Sequence, residues 1–494
     1  MRMEVKIDQR QVKYMQITQG MKVHFVGIAG SGMSPLARIL LDFGCLVSGS
    51  DIKISQTLDE LKEKGASVYT GHNKDFVVDV DLLVVSSAVP NDDEEVSFAR
   101  QNGIKIVSRA ELLGALMNLQ RGIAVTGTHG KTTTSSMISL ILVEAGADPT
   151  AIIGSSFSNV LNGGKLGRGD FMVVEADEAY GSFLCLDPEI AVITNVDDDH
   201  RDHYGSFDGI MEGFKSFVKR VDPNGFIVYC LDDANTREVV SNYEGKLISY
   251  GLCKEKKSEA EYIASDIQVT AFGSKFWVLK DGSRLVEIEL SIPGYHNVSN
   301  ALGAIACVNE LDVDLMAASK ALKAFTGARR RCQVLTRNNG VTVIDDYAHH
   351  PKEIEETLKA LRGTLKFSKE SGSSSKGRLI AIFQPQRYTR TQFLMNDFAK
   401  CFSEADVIGI TQIYSEGTGE SPIEGVSGEK LSELVAQHEG KQVEYFNDKD
   451  KLRGFLRENV RPGDFLVMMG AGDIYKVTHE FASCVDEGKI FEKY

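Results

Sequence analysis

Residues 122–134 have the sequence GIAVTGTHGKTTT, which is the strongest single motif in the chain. A short β-branched strand enters a glycine turn, after which Lys131 and Thr132 open a helix. In such a loop, backbone N–H groups and the helix dipole cradle phosphates, while the lysine neutralises their oxygens and the hydroxyl ligates Mg²⁺. Val125 stands where the standard G-x-x-x-x-G-K-[ST] loop has its first glycine. The stretch predicts an ATP-binding α/β domain, because a buried lysine beside four hydroxyl residues has little structural purpose without phosphate.

The pattern around this loop begins three times along the chain: a β-branched apolar run, a glycine-rich or charged turn, and a helical segment. The three runs are residues 22–28, 123–126 and 341–345. Runs of this kind are typical of buried parallel strands in βαβ units. A chain of 494 residues is long enough for about three domains. The sequence therefore predicts a three-domain α/β protein.

Domain boundaries are predicted near Gly122 and Gly327. They divide the chain into an N-terminal extension and three domains, residues 1–20, 21–121, 122–326 and 327–494. In the central domain, residues 275–279 and 285–290 flank Asp281-Gly282, which is a strong hairpin signal. The Ser/Gly-rich segment 366–377 is predicted to be a surface loop.

Composition excludes several classes of protein. A formal net charge of −14 argues against nucleic-acid binding, because nothing general attracts a phosphate backbone. The eight cysteines contain no C-x-x-C pair, which suits a reducing compartment better than a disulfide framework or a zinc site. No segment approaches the roughly 18 apolar residues of a membrane helix, and the N-terminus lacks the apolar core of a signal peptide. We expect a cytoplasmic protein without membrane insertion.

A second glycine-rich turn, G-I-A-G-S-G at residues 27–32, follows the first strand directly, and Asp51 ends the next one. Glycines let backbone N–H groups approach a pyrophosphate at a helix N-terminus. The spacing is G-x-x-G-x-G rather than the dinucleotide fingerprint G-x-G-x-x-G, which weakens an NAD interpretation. Two interpretations stay open: a site for a nucleoside diphosphate, or a structural turn between strand and helix.

Acidic residues and a histidine follow two strands of the central domain. Glu175 ends the run 171–174, and His200 follows the run 190–194. Parallel strands deliver their carboxyl ends to one edge of a sheet, and a P-loop magnesium needs acidic ligands there. Glu175 and His200 are therefore predicted metal ligands. The alternatives are a hydrogen-bonded core histidine at 200 and a solvated loop for Asp197 and Asp198.

Basic and aromatic residues gather at strand ends of the last domain. The sequence DDYAHHP at 345–351 ends one predicted strand, and FQPQRYTRT at 383–391 ends another. Arg387 and Arg390 suit an amino-acid carboxylate, because guanidinium groups bind carboxylates bidentately. One arginine of GARRR, residues 327–331 at the domain junction, is placed to reach a nucleotide phosphate. The alternative for each arginine group is a solvated basic loop.

These motifs together resemble the Mur ligases of peptidoglycan synthesis. The chain carries, in order, GIAGSGMS, GTHGKTTT, EADEAYGSF, NVDDDHRDHYGSF, GYHNVSNALGAIA, GARRR, DDYAHHPKEI, FQPQRYTRT and GAGDI. The resemblance is strongest to the branch that joins L-alanine to UDP-N-acetylmuramate. It implies a Rossmann-like UDP-sugar domain, a P-loop ATPase-like central domain with a mostly parallel sheet, and a Rossmann-like C-terminal domain that binds the amino acid. It also implies an ATP-dependent ligase that uses Mg²⁺, with Mn²⁺ as a substitute, and a monomer or homodimer.

The resemblance also implies roles for individual residues. It assigns ATP to Thr126, Gly127, Thr128, His129, Gly130, Lys131, Thr132, Thr133, Asn297, Arg330 and Asp345. It assigns the UDP-sugar to Gly27, Gly30, Ser31, Gly32, Asp51, Ser86 and Ser87. It assigns the amino acid to Tyr347, His349, Arg387 and Arg390, and the metal to Thr132, Glu175 and His200. The catalytic residues would be Lys131, Glu175, His200, Arg330 and His349, the last as a candidate general base.

The chain departs from the family pattern at Ala348, Gln386 and Cys332, where glycine, histidine and an aromatic residue are usual. These departures bear on amino-acid selectivity. Lys215 lies where many related ligases carry a carbamylated lysine, but an ordinary exposed helix lysine is the preferred interpretation. Three rival functions remain: a recycling ligase that adds a tripeptide to the same UDP-sugar, an NAD-dependent dehydrogenase, and a regulatory ATP-binding protein without chemistry.

Overall fold

The structure is a computed structural model that describes most of the chain. The described residues are 15–153, 164–199, 201–252, 259–270, 273–327, 330, 332–370, 377–416 and 420–489, without the side chains of 202 and 366–370. The predictions for residues 1–14, for His200 and for residues 371–376 of the serine-rich segment therefore fall outside them. The described part contains sheets of five, ten and six strands, and the chain divides into two compact units. The first unit contains the five-stranded sheet, and the second contains the six-stranded sheet.

The N-terminal sheet is parallel, with strand order β3-β2-β1-β4-β5. Its strands are β1 (Lys22–Val26), β2 (Leu46–Asp51), β3 (Ser67–Thr70), β4 (Leu82–Val85) and β5 (Lys105–Ser108). Its helices are α1 (Ser34–Phe43), α2 (Gln56–Glu63), α3 (Glu94–Gln101) and α4 (Arg109–Met117). The strand order reverses at β1, because β2 and β4 pair with its two sides. Ligands of open α/β sheets bind at such a switch point, where the turn after β1 lies.

The central sheet has the order β15-β14-β13-β12-β11-β10-β6-β9-β7-β8. Its strands are β6 (Arg121–Thr126), β7 (Thr150–Ile152), β8 (Gly164–Lys165), β9 (Phe171–Glu175), β10 (Ile190–Ile193), β11 (Phe226–Cys230), β12 (Lys246–Leu252), β13 (Tyr262–Val269), β14 (Ser274–Lys280) and β15 (Ser283–Leu290). Its helices are α5 (Lys131–Glu144), α6 (Arg201–Tyr204), α7 (Phe207–Val218), α8 (Ala234–Val240), α9 (Tyr295–Asn309) and α10 (Leu315–Ala324). Strands β9, β6 and β10 are parallel neighbours, so their carboxyl ends share one edge. The predicted hairpin is confirmed: Asp281 (φ 50°) and Gly282 (φ 80°) are both left-handed, as a type I′ turn requires.

The C-terminal sheet has the order β16-β17-β21-β18-β19-β20, and only the edge pair β16 and β17 is antiparallel among its described strands. Its strands are β16 (Gln333–Asn338), β17 (Val341–Asp346), β18 (Leu379–Phe383), β19 (Val407–Thr411), β20 (Val443–Phe446) and β21 (Phe465–Met469). Its helices are α11 (Pro351–Glu370), α12 (Tyr388–Phe393), α13 (Met395–Phe398), α14 (Gly428–Glu439), α15 (Lys449–Asn459) and α16 (Tyr475–Asp486). Both faces of the sheet are buried by apolar clusters.

The predicted loop at 366–377 is wrong in its first part. Helix α11 continues to Glu370, so residues 366–370 are helical. Lysine and glutamate are good helix formers, and they extend a helix whose preceding turns are anchored by Leu358, Leu361 and Leu365. Among the described helices, none combines the length and the apolar character that crossing a membrane requires.

Candidate active site

The loop between β6 and α5 is held by the end of β10. Gly127 (φ 131°) and Gly130 (φ 84°) have left-handed backbones, and a Cβ at Gly127 would lie 2.2 Å from Oγ1 of Thr194. The backbone N–H of His129 donates to Oδ1 of Asn195 at 2.8 Å. The Oγ1 of Thr128 accepts from the N–H of Asp197, also at 2.8 Å. The loop conformation is therefore fixed by its neighbouring strand.

The loop also approaches a residue that sequence analysis missed. A Cβ at Gly130 would lie 2.4 Å from Oδ1 of Asn300, so the amide of Asn300 lies against the backbone at the start of α5. Asn300 lies one turn after Asn297 on α9, so the two residues are on the same face of the helix. This spacing from a predicted ATP-binding residue was the sequence signal for Asn300. The Nδ2 of Asn297 donates to the carbonyl of Pro293 at 2.7 Å.

Lys131 has a charged partner within the protein. Its Nζ donates to Oε2 of Glu178 at 2.7 Å, and to the carbonyls of Gly127 and Thr128 at 2.7 and 3.2 Å. The two side chains are only 12% and 3% exposed. Lys131 therefore has a structural role without phosphate, which the sequence interpretation did not include, because a buried ammonium needs a counter-charge in the folded protein.

The pKa values of Glu178 and Lys131 are both raised, but for different reasons. Burial raises the pKa of Glu178 to about 7, because desolvation outweighs the attraction of Lys131. For Lys131, burial lowers the pKa, but the carboxylates of Glu178 and Asp177 outweigh burial and the net direction is upward. The signal for Glu178 was the third acid of EADE, three residues after Glu175.

The predicted metal ligands Thr132 and Glu175 are brought together. Oγ1 of Thr132 donates to Oε1 of Glu175 at 2.8 Å, where α5 begins and β9 ends. A hydroxyl and a carboxylate at this separation suit Mg²⁺, which prefers hard oxygen ligands. His200 lies outside the described residues, and its role stays a prediction.

The second glycine turn and Asp51 meet at the carboxyl ends of β1 and β2. Oδ2 of Asp51 accepts from the N–H of Ala29 at 3.0 Å, so the carboxylate holds the turn. Gly27 has φ 82°, and a Cβ there would lie 3.1 Å from the Cβ of Ser86. Gly30 and Gly32 continue the turn, while Ser31 and Ser87 are exposed. Arg109, which sequence analysis missed, lies near Gly32: a Cβ at that glycine would be 2.7 Å from the arginine Cδ.

At the end of β17, Arg330, Asp345, Tyr347 and His349 lie together. The Arg330 guanidinium lies 4.9 Å from the centroid of the Tyr347 ring, and its Nε is 3.5 Å from Oδ2 of Asp345. The His349 and Tyr347 rings meet edge to face at 5.3 Å. Nδ1 of His349 lies 2.9 Å from the carbonyl of Tyr347. The structure thus brings Arg330 of the GARRR motif beside three residues of the DDYAHHP motif.

Ala348 and Cys332, two departures from the family pattern, both donate a backbone hydrogen bond to Asp346. Ala348 is buried within an apolar cluster, and its N–H donates to Oδ1 of Asp346 at 2.6 Å. The N–H of Cys332 donates to the other oxygen of the same carboxylate at 2.7 Å. Asp346 therefore organises the backbone around β17.

The paired arginines follow β18. Arg387 has a left-handed backbone (φ 67°), and its Nε donates to Oε1 of Glu420 at 2.7 Å. The pKa of Glu420 is lowered: burial raises it, but hydrogen bonds from Thr389 and Arg387 outweigh burial. Nη1 of Arg390 donates to Oε1 of Gln386 at 3.3 Å. Glu420 was missed, since nothing in its sequence surroundings marks it as a partner of Arg387.

Lys215 lies on α7 and hydrogen-bonds two surface carboxylates, Glu212 at 3.2 Å and Glu238 at 2.9 Å. Both carboxylates are more than half exposed. These contacts are those of an ordinary surface lysine.

Known families and proteins match nearly the whole chain. Family models match as "Mur ligase family, catalytic domain" at residues 22–121, "Mur ligase middle domain" at 125–308 and "Mur ligase, glutamate ligase domain" at 330–472. The UDP-N-acetylmuramate–L-alanine ligase of Pelotomaculum thermopropionicum is 43% identical over 94% of this chain and 98% of its own length. The ligase of the same name from Geobacter sulfurreducens is 42% identical over 95% of this chain and 98% of its own.

Solved structures have the same fold. The UDP-N-acetylmuramate-alanine ligase of Thermotoga maritima superposes with a TM-score of 0.77 at 28% identity, covering 95% of this chain and 100% of its own. A murein peptide ligase of Psychrobacter arcticus has a TM-score of 0.66 at 24% identity, covering 94% and 98%, and supports the fold alone. The three-domain α/β prediction is confirmed. Matches of this extent leave the dehydrogenase alternative without support, and the chain belongs to the Mur ligase family.

Proposed function

We propose that this chain joins L-alanine to the lactyl carboxylate of UDP-N-acetylmuramate, using ATP, in peptidoglycan precursor synthesis. The observation that carries the proposal is the loop geometry: Lys131 and Thr132 each lie 2.7–2.8 Å from an acidic side chain, at the shared edge of β6 and β9. Such an arrangement serves phosphoryl transfer. Family membership adds ATP dependence, and relatives matched over more than nine-tenths of the chain supply the substrate class.

A carboxylate and an amine do not condense in water, because the carboxylate oxygen is a poor leaving group. Phosphoryl transfer from ATP turns the lactyl carboxylate into an acyl phosphate, which the amine attacks with release of phosphate. Lys131 and Arg330 would stabilise the charge on the transferred group. Thr132 and Glu175, with His200, would hold Mg²⁺, which neutralises phosphate charge when bound. Mn²⁺ would fit the same hard ligands.

ATP and the UDP-sugar are assigned to different sets of residues. The loop from Thr126 to Thr133, together with Asn297 and Asp345, would bind ATP. The turn at residues 27–32 and the serines Ser86 and Ser87 would bind the UDP-sugar. Asp51 orders that turn through Ala29, so its carboxylate would act on the UDP-sugar at least through the backbone.

The amino acid is assigned to the C-terminal sheet. Arg387 and Arg390 would bind its carboxylate, with Tyr347 beside it. Nδ1 of His349 lies against the Tyr347 carbonyl, which favours a proton on Nδ1 and leaves Nε2 as the nitrogen able to accept one. We therefore keep His349 as the general base for the amine.

The proposed domain boundaries stay at residues 20/21, 121/122 and 326/327. A cytoplasmic location and a monomeric or homodimeric state complete the proposal. One alternative keeps specific support: a murein tripeptide ligase of Neisseria meningitides is 27% identical over 62% of this chain and 99% of its own, with a TM-score of 0.56. That likeness favours tripeptide addition to the same UDP-sugar as the second candidate.

The test is phosphate release with ATP, Mg²⁺ and UDP-N-acetylmuramate against a panel of amino acids and the tripeptide L-alanyl-γ-D-glutamyl-meso-diaminopimelate. We expect turnover with L-alanine that exceeds turnover with glycine and L-serine, and none with the tripeptide. Faster ligation of the tripeptide at equal concentration would establish the second candidate instead. Absence of phosphate release with every acceptor would refute both.

A further inference from the structure

The sequence G-A-G-D-I at residues 470–474 has no role in the function described so far. It joins β21 to α16, and Gln384 fixes it at two points. The N–H of Ile474 donates to Oε1 of Gln384 at 3.0 Å, and Nε2 of Gln384 donates to Oδ1 of Asp473 at 3.1 Å. The start of α16 is therefore tied to the end of β18.

Helix α16 begins at Tyr475, and His479 follows one turn later on the same face. The two rings meet edge to face, with centroids 6.2 Å apart. Together they form what we call the α16 cradle, the side chains of Tyr475 and His479.

The Arg330 guanidinium packs against Tyr475 of the α16 cradle and against Tyr347, which follows β17. It lies between two aromatic rings, 4.7 Å from the centroid of Tyr475 and 4.9 Å from that of Tyr347. Its Nη2 donates to the carbonyl of Gly470 at 2.5 Å. The backbone of Arg330 is left-handed (φ 59°), a conformation that costs a non-glycine residue free energy unless its surroundings fix it.

Asp345 lies beside His479 of the α16 cradle. Its side chain is fully buried, and the nitrogen atoms beside its Oδ2 are Nε of Arg330 at 3.5 Å and Nε2 of His479 at 3.6 Å. Both distances exceed a good hydrogen bond, and neither carboxylate oxygen has a hydrogen-bond partner among the described residues. A buried carboxylate in this state keeps its capacity to accept hydrogen bonds from a ligand.

We propose that Tyr475 and His479 are positioning residues that hold Arg330 and Asp345 in the geometry in which both meet ATP. The inference rests on the proposed function, in which those two residues contact the nucleotide. Tyr475 would orient the guanidinium through its ring face, and His479 would orient the carboxylate through Nε2. Neither side chain needs to touch ATP itself.

The test compares paired variants at each position. Tyr475→Phe keeps the ring and Tyr475→Leu removes it; His479→Gln places an amide N–H near the position of Nε2, and His479→Leu removes the donor. Lys476→Leu, which changes an exposed side chain on the same turn, is the matched control. For each variant we would measure kcat, the KM values for the three substrates, affinity for a non-hydrolysable ATP analogue, and thermal unfolding.

We expect Tyr475→Leu to lower kcat/KM for ATP roughly five- to thirty-fold, the range of a partly desolvated cation–π contact. The KM values for L-alanine and the UDP-sugar should not change. Tyr475→Phe and His479→Gln should keep most of the wild-type value, while His479→Leu should lower it. Leu variants that match Lys476→Leu in every constant would overturn the inference, as would equal losses with Phe and Leu. An inactive wild-type enzyme would instead overturn the proposed function.

Discussion

Replacing Lys131 by methionine should affect activity and stability by separate routes. Loss of a contact to the transferred phosphoryl group costs about 3–4 kcal/mol, so ligase activity should fall at least several hundred-fold. The same change leaves the buried carboxylate of Glu178 without the ammonium 2.7 Å away. Removing one member of a buried ion pair destabilises a protein by about 3–5 kcal/mol when the remaining charge cannot be neutralised.

Glu178 can be neutralised, and this makes the loss of stability depend on pH. Its pKa is raised to about 7 with Lys131 present, and losing the lysine raises it further, because both the charge and the hydrogen bond of Lys131 lower it. The folded variant then holds a proton that the unfolded chain releases near pH 4.5. The contribution of protonated Glu178 to the free energy of unfolding is therefore present at low pH. It is lost as pH rises toward the new pKa, by about 1.4 kcal/mol per pH unit.

Between pH 7 and 8.5 the loss is at most about 2 kcal/mol, or a fall in Tm of up to about 4–8 °C for a domain of this size. In the wild type, whose Glu178 has a pKa of about 7, ionisation is nearly complete by pH 8.5 and the loss over this interval is smaller. We would follow thermal unfolding by circular dichroism at pH 6, 7 and 8.5. A Tm difference between variant and wild type that stays constant across the three pH values would refute this account of Glu178.

The double variant Lys131→Met/Glu178→Gln separates the two effects. It should recover the Tm at pH 8.5 but not the activity, since the amide needs no counter-charge and the phosphate contact is still missing. Lys215→Met is the matched control, because that lysine pairs with the exposed carboxylates of Glu212 and Glu238, and such pairs contribute about 0–1 kcal/mol. A double variant with substantial ligase activity would show that Lys131 does not bind phosphate.

Three further predictions concern the ligands. Glu175→Gln should raise the Mg²⁺ concentration for half-maximal rate, because an anionic ligand becomes neutral; an unchanged Mg²⁺ titration at fixed ATP would make Glu175 structural. Arg390→Ala should raise KM for L-alanine roughly ten- to a hundred-fold with little change for ATP, whereas equal rises for all substrates would indicate a folding defect. Gln386→His, which restores the usual family residue beside Arg390, should change the rate ratio of L-alanine to L-serine; an unchanged ratio would separate this residue from selectivity.

Local patterns were sufficient to predict the fold. The runs at 22–28, 123–126 and 341–345 correspond to β1, β6 and β17, because β-branched residues followed by glycine or acidic turns encode a strand end within a few residues. The hairpin at Asp281-Gly282 is equally local. The error at 366–370 is also instructive: serine and glycine further along the segment suggested a loop, while tertiary anchoring of α11 by its leucines extended the helix.

Partners across the fold could not be predicted in this way. Glu178 lies 47 positions from Lys131, and Glu420 lies 33 positions from Arg387. Sequence spacing carries no information on pairs that are brought together by separate strands. Arg109 and Asn300 are further cases, since each was visible only as a side chain that approaches a glycine. Sequence thus identified Lys131 and Arg387, and the structure identified their acidic partners Glu178 and Glu420.

That pairing bears on how the site would work. Lys131, Arg330 and Arg387, the cations proposed for anionic ligands, lie 2.7, 3.5 and 2.7 Å from the carboxylates of Glu178, Asp345 and Glu420. If these cations bind phosphate and carboxylate as proposed, each ligand anion must displace the protein's own carboxylate or share the cation with it. Such an exchange lowers affinity, since the internal contact is lost, but it keeps each buried cation paired in the free protein. Removing the acid alone, as in Glu420→Gln, should therefore tighten L-alanine binding while lowering Tm, and a weaker affinity for L-alanine would contradict the exchange.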